Sequence, residues 1–350
     1  MASVYTYITA DILTGTVIEE VPLRSVKWAK ELNGPGSFEG TIDADHPKAV
    51  RNVVSPGARF IYVLRNGVPV WGGIIWVVRN KGGVLEIQAQ GIWSYFRRRL
   101  IKTSTTFTDV DQLTIAKTLL DNAAAAPGGD IGVTVPNTTS GVARTRSYYA
   151  KERKQLGEAV EQLAEVINGF DFEVVTSLSG ATFTNNVVFH YPRQGRRLSA
   201  VWDVSVHASL DGWEVDASAA ANSISGLGAG DGDAALVLDV ADPSKLSEYP
   251  LLEDTASYKD VVEQSTLDAH SRAELTRRSS PTALPELTLI QTPETTVGSF
   301  VVGDEVQLRG TRGWSELDGW YRIVGYNVSV SDSGDEQVAV TVVDTEQVPQ

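Results

Sequence analysis

The stretch VLRNGVPVWGGIIWVVRNKGGVLEIQAQG, residues 63 to 91 of a 350-residue chain, decides how the rest is read. Apolar β-branched and aromatic residues fill it, broken only by Asn66-Gly67 and Asn80-Lys81-Gly82-Gly83, pairs that favour the positive φ of tight hairpin turns. Together with Phe60 to Leu64 before it, the pattern predicts a three-stranded meander whose later strands cover Val70 to Val78 and Val84 to Ala89. In the middle strand a period of two puts Val70, Gly72, Ile74, Trp76 and Val78 on one face and Trp71, Gly73, Ile75 and Val77 on the other. Both faces are apolar, so the strand belongs in a closed barrel or a packed interface.

Working outward, Tyr5 to Thr9 reads as another strand, and the chain changes character near Thr106. Asp109 and Gln112 have the spacing of a capping box, and Leu113, Ala116 and Leu120 then share one helical face up to Ala126-Pro127-Gly128-Gly129. A second helix is predicted from Lys154 to Ile167, where Leu156, Ala159, Val160, Leu163, Ala164 and Ile167 form an apolar stripe, with Asn168-Gly169 as its stop. Period two returns at Phe170-Asp171-Phe172-Glu173-Val174 and at Asn186 to Tyr191. The small-residue run DASAAANSISGLGAGDGD, 216–233, reads as a linker or long loop. A third helix is expected over Val262 to Arg278, ended by Ser279-Ser280-Pro281. Strands follow at Glu286 to Ile290, Asp304 to Arg309, Trp320 to Val330 and Gln337 to Val343, the last two joined at Ser333-Gly334-Asp335. The fold class expected is mainly β with an α+β insert: an N-terminal β domain over 1–104, a helix-containing insert over 105–219, and a C-terminal β domain with linker and helix over 220–350.

Composition narrows the function. There is no Cys, which removes disulfides, zinc-thiolate sites and thiol nucleophiles and suits a reducing compartment. MASVYTYITADILTG lacks the basic and long apolar segments of a signal peptide, and no run reaches the roughly 20 apolar residues of a membrane span. Asp and Glu number 44 against 30 Lys and Arg, a formal charge of −14 that opposes gripping nucleic acid by its phosphates. The longest basic run is Arg97-Arg98-Arg99.

No catalytic constellation emerges. The four His, at 46, 190, 207 and 270, lack the H-E-x-x-H spacing of a zinc site, and no G-x-S-x-G elbow is present. GLGAGDG at 226–232 has Asp231 where the third Gly of a dinucleotide fingerprint would stand. Asp231-Gly232-Asp233 lacks the remainder of a calcium loop. The adjacent pairs Glu253-Asp254 and Asp304-Glu305 could supply an acid and a base, but among 44 carboxylates some must be neighbours. No enzyme activity, no cofactor and no metal are expected.

Three motifs then carry a resemblance through their order. They are NGVPVWGGII at 66–75, EAVEQLA at 158–164 with NGFDF at 168–172, and DGWYRIVGYNVSVSDSGDEQVAVTVVD at 318–344. Together they resemble the hub proteins of phage tail tips, a family of baseplate hubs, minor tail proteins and the N-terminal parts of tail-associated lysins. The resemblance covers nearly the whole chain. It implies two tail-tube-like β-barrel domains bracketing a helix-containing domain, and a homotrimer forming a pseudo-hexameric ring. Implied partners are the tail tube, the distal tail protein and tip or fibre proteins, with DNA passing through unbound. The implied location is the virion tail tip, assembled in the host cytoplasm. Trp71, Trp76, Trp93 and Trp320 become candidate structural or interface residues. Lysin members carry C-terminal enzyme modules, whereas this sequence ends at Gln350, just past its last predicted strand. The alternative reading is a carbohydrate- or receptor-binding tail module that stacks sugars on Trp202, Trp213, Trp314 or Trp320.

Overall fold

The 63–91 ribbon folds as a meander. The structure, a computed structural model, describes residues 3–313 and 315–349, so Trp314 lies outside the described residues. The N-terminal region contains β1 (Tyr5–Asp11), β2 (Val17–Glu20), β3 (Arg24–Glu31), β4 (Ser37–Asp43), β5 (Arg59–Arg65), β6 (Val68–Lys81) and β7 (Val84–Gly91). Asn66 and Gly67 take φ of 51° and 79°, and Gly82 and Gly83 take 61° and 82°. Arg65 therefore pairs with Val68, and Lys81 with Val84, across two-residue turns.

The two-faced reading of β6 holds at its centre and slips at its ends. Ile74 and Trp76 pack with Phe60 and Tyr62, while Trp71 and Ile75 pack with Phe38 and Val63 on the opposite side. Val70 and Val78, expected beside Ile74, lie instead against the Trp71 cluster. Register shifts opposite Val63/Leu64 and between Ile75 and Val77 each admit one extra residue, which moves the following side chains to the other face.

Next come β8 (Thr105–Asp111), α1 (Gln112–Ala124), β9 (Val133–Thr134), β10 (Ala143–Tyr148), α2 (Leu156–Ala164), β11 (Asp171–Ser179) and β12 (Thr182–His190). The helices bury Leu113, Leu120, Leu156 and Leu163 against Trp93, Phe96 and Phe172 in a core of their own. The cap of α1 is Asp111 rather than Asp109. Its Oδ1 accepts from the backbone N–H of Leu113 and Thr114 at 2.9 and 3.3 Å, and its Oδ2 accepts from those of Ser140 and Gly141 at 2.8 and 2.7 Å. Pairing of β8 with β10 holds the chain extended to Asp111, and that pairing is invisible to local spacing. Helix α2 stops three residues before Ile167, whose N–H donates to the carbonyl of Ala269 in the third helix instead of continuing the helical ladder.

The remainder comprises β13 (Arg197–Asp203), β14 (Ala208–Asp216), β15 (Ser223–Leu227), β16 (Val237–Ala241), β17 (Glu253–Ser257), α3 (Gln264–Arg278), β18 (Thr282–Leu289), β19 (Glu305–Arg312), β20 (Ser315–Val330) and β21 (Glu336–Asp344). Strands β13 and β14, read from sequence as part of the insert, pair with β19 and β18. The stretch read as a linker contains β15, the centre of a three-stranded sheet roofed by α3. Its Gly226 is required by close approach, since a Cβ there would lie 2.0 Å from Ser271 Oγ.

Both strand-rich regions belong to one 13-stranded sheet, ordered β14-β18-β21-β20-β3-β4-β7-β6-β5-β1-β2, with β19 branching from β20 and carrying β13. The join is the antiparallel pair β20–β3, from Gly325 opposite Glu31 to Val330 opposite Val26. The first half of β20 pairs with β19, and a bulge between Ile323 and Gly325 precedes the half that meets β3. The expected pair of closed barrels is not formed by hydrogen-bonded pairing among the described residues; the path runs open from β14 to β2. The sheet curls over a shared core instead, in which Trp28, Phe38 and Trp71 join Trp202, Phe300, Tyr326 and Val340. Trp28 meets Tyr326 edge-on at 5.7 Å, and Phe300 meets both Trp202 and Tyr326 at 5.4 Å. Arg65 also donates to both oxygens of Glu336, at 2.6 and 3.1 Å, and Tyr5 donates to the first of them at 2.9 Å, clasping β1 and β5 to β21.

Because β20 is a partner of β3, β19 and β21 at once, deleting residues 320–350 is expected to expose both halves of the shared core. The truncated chain should be insoluble or lack a cooperative melting transition. A soluble, cooperatively melting product would contradict the single-sheet description.

Candidate assembly site

The four Trp singled out from sequence separate into two classes. Trp71 and Trp93 are 4% and 1% exposed. The indole N–H of Trp71 donates to the Ala29 carbonyl at 2.9 Å, and that of Trp93 donates to Glu161 Oε1 at 2.6 Å. Both are internal. Trp76 and Trp320 are half-buried, and each carries a guanidinium on its ring: Arg98 at 4.0 Å and Arg197 at 4.8 Å from the centroid. Of the aromatics considered for sugar stacking, Trp202 is fully buried and Trp213 packs half-buried against the main core. Neither Trp202 nor Trp71 has a face to offer a ligand.

The structure also assembles a buried joint that the sequence reading did not pick out. Asp171, at the start of β11, and Arg322, in β20, form an ion pair whose side chains are 7% and 5% exposed. Asp171 Oδ1 accepts from Asn33 Nδ2 at 2.9 Å and its Oδ2 from the Gln194 N–H at 2.8 Å. Arg322 donates to the carbonyls of Gln194 at 3.1 Å and Gly303 at 3.2 Å. Asn33 completes the lock by accepting from the Phe172 N–H at 2.7 Å. One knot thus ties the turn after β3, the first strand beyond α2, the loop before β13 and strand β20. Its two charges sit in NGFDF and DGWYRIV, so two motifs that carry the resemblance meet in space. A charged residue flanked by apolar neighbours in a strand was the available signal.

A second buried polar contact joins the insert to α3. Arg146 in β10 and His270 in α3 are 1% and 2% exposed, and Nη2 of the first meets Nε2 of the second. A guanidinium only donates, so Nε2 is the unprotonated ring nitrogen. Burial, then the charge of Arg146, holds His270 well below the usual imidazole range. Beside them Lys154 and Asp260 pair at 3.0 Å.

Three of the four carboxylates weighed for acid–base chemistry are engaged structurally, and the fourth, Glu253, is exposed. Asp304 accepts from the backbone N–H of Arg196 and Val301 at 2.9 and 3.0 Å, Glu305 pairs with Arg197 at 2.7 Å, and Asp254 pairs with Arg278. Among the described residues, no three His, Asp or Glu gather in a group able to hold a metal ion. Among the described residues, no helix is long and apolar enough to cross a membrane.

No family model and no curated protein matches the chain. Solved structures do. The 43 kDa tail protein of prophage MuSo2 from Shewanella oneidensis superposes with a TM-score of 0.63 at 13% identity, over 99% of this chain and 100% of that one. The tail protein from Neisseria meningitidis MC58 gives 0.62 at 13% identity over 98% of both chains. The prophage tail protein gp18 from Listeria monocytogenes EGD-e gives 0.57 at 12% identity, over 96% of this chain and 94% of that one. At such identities the likeness is one of fold, and it spans nearly the whole chain.

Proposed function

We propose that this chain, whose fold is that of prophage tail proteins, is a non-enzymatic structural component of a phage tail tip. In this reading three copies form a hub ring that connects the tail tube or distal tail protein to tip or fibre proteins and lets DNA pass. The observation that carries it is the full-length likeness to prophage tail proteins, with β20–β3 joining two strand-rich halves in one sheet. Two tube-like strand-rich regions per chain, the C-terminal one including β13 and β14, would give a trimer six units around the axis, with the α1 and α2 insert set between them. Trp76 and Trp320, half-buried under guanidiniums, are the two singled-out Trp left available for contacts between copies. The place of action is the virion, after assembly in the host cytoplasm.

The charge fits a conduit. A basic wall would hold DNA by displacing the counterions condensed on its phosphates, whereas excess carboxylate repels it over about 8 Å at physiological ionic strength. Electron microscopy of the purified chain or the isolated tail tip should show three-fold rings with a central pore lined by more acidic than basic side chains. Duplex DNA should give no gel shift at low salt. Monomeric particles in the tail tip, or a shift at micromolar protein, would overturn the reading.

A further inference from the structure

A groove of about 460 Å³ runs between the insert and the C-terminal hairpin, within the ~300–1,000 Å³ typical of ligand pockets. Leu32, Phe170, Val324, Val343 and Val348 give it an apolar surface. Five charged residues also line it: Glu165, Asp171, Arg193, Arg277 and Arg322. Three guanidiniums against two carboxylates leave one positive charge in excess, in a chain whose net charge is −14.

That excess can be located. Arg322 is committed to Asp171. Arg277 donates to Glu274 at 3.0 and 3.3 Å and to the Glu165 carbonyl at 3.1 Å, and its charge also faces the Glu165 carboxyl. Arg193 donates only to the Val348 carbonyl, at 3.3 Å, and no carboxylate lies within ion-pairing distance of it among the described residues. Burial, then the neighbouring Arg322, disfavours its charge, and the more distant carboxylates of Asp171 and Glu305 offset this only in part, so an anion bonded directly to the fork would favour the charged form. A guanidinium offers five donors in a planar fork, and most of this fork is unused.

We propose that the groove receives the carboxyl terminus of another protein chain, with two or three apolar side chains on Leu32, Val324 and Val343 and the terminal carboxylate on Arg193. Charge and apolarity select this occupant together: the groove buries apolar side chains, and a chain end brings a bidentate anion to the fork without having to leave the groove again. The inference does not rest on the tail-tip reading.

The test titrates the full chain, ¹³C-labelled at Leu and Val methyls, with acetyl-Leu-Val-Leu, its C-terminal carboxamide, and octanoate. Shifts are expected at the methyls of Leu32, Val324 and Val343, with the free acid binding about tenfold tighter than the carboxamide, as a charge-assisted pair requires. Arg193→Gln should erase that preference while leaving the remaining methyl spectrum in place. Absence of shifts at millimolar peptide would overturn the proposal, as would equal affinity of acid and carboxamide for the parent chain. So would a preference surviving in Arg193→Gln, or shifts produced by octanoate alone. The acid-against-carboxamide comparison is made on the parent chain, so the test stands even if the variant misfolds.

Discussion

Replacing Arg322 with Met is expected to destabilise the chain by about 3–5 kcal/mol, the usual consequence of stripping one partner from a buried ion pair. The Asp171 carboxyl would keep its bonds from Asn33 and Gln194 but lose its counter-charge in a place where its side chain is 7% exposed. Against a total stability of roughly 5–15 kcal/mol the loss is large. Asp171→Leu alone should do comparable harm by stranding the guanidinium. Combining Asp171→Leu with Arg322→Met removes both desolvated charges together and should recover at least half of the loss, with the remainder reflecting Asn33, Gln194 and Gly303 left short of partners. Denaturant midpoints of the four proteins close a double-mutant cycle. A single variant as stable as the parent, or a double variant no better than the singles, would refute the joint.

Leu163→Asp is expected to be the most damaging single change in the insert. Leu163 is fully buried on α2, in the core that holds Trp93 and Phe172. Truncation to Ala there would already cost about 2–5 kcal/mol, and a carboxylate adds a charge buried in an apolar cluster. Loss of the insert would spread, because Phe172 follows Asp171 directly and Asn33 holds both. Thermal melting should show the insert unfolded or the whole transition lost. Glu158→Gln, on the exposed side of the same helix, should shift stability by no more than about 0.5 kcal/mol. Melting of Leu163→Asp that coincides with the parent's would mean that α2 does not pack as described.

Much of the architecture is local and was readable as such. Asn66-Gly67 and Gly82-Gly83 turn because their backbones accept positive φ, and the stripe from Leu156 to Ala164 is helical because its spacing is. Where local signals compete, they mislead. Capping-box spacing points to Asp109, but pairing of β8 with β10 keeps the chain extended as far as Asp111, which caps α1 instead. Strand β15 hides in a Gly- and Ser-rich run because its small residues fit beneath α3, and small residues read as a linker when the roof is unknown.

By itself, then, the sequence determined the β-rich class, the three helices, the hairpin turns and the order of motifs, all of which follow from φ preferences and from periods of 2 and 3.6 residues within short windows. Tertiary structure alone decided the rest. It set the bulges that turn Val70 and Val78 over, the β20–β3 seam that makes two regions one sheet, and the burial of Trp71 and Trp93 while Trp76 and Trp320 keep a surface. It also matched Asp171 to Arg322 across 151 positions. The pattern around a charged residue in an apolar strand announces that a counter-charge must come. Which one arrives depends on loop closures and a shared core that no short window contains.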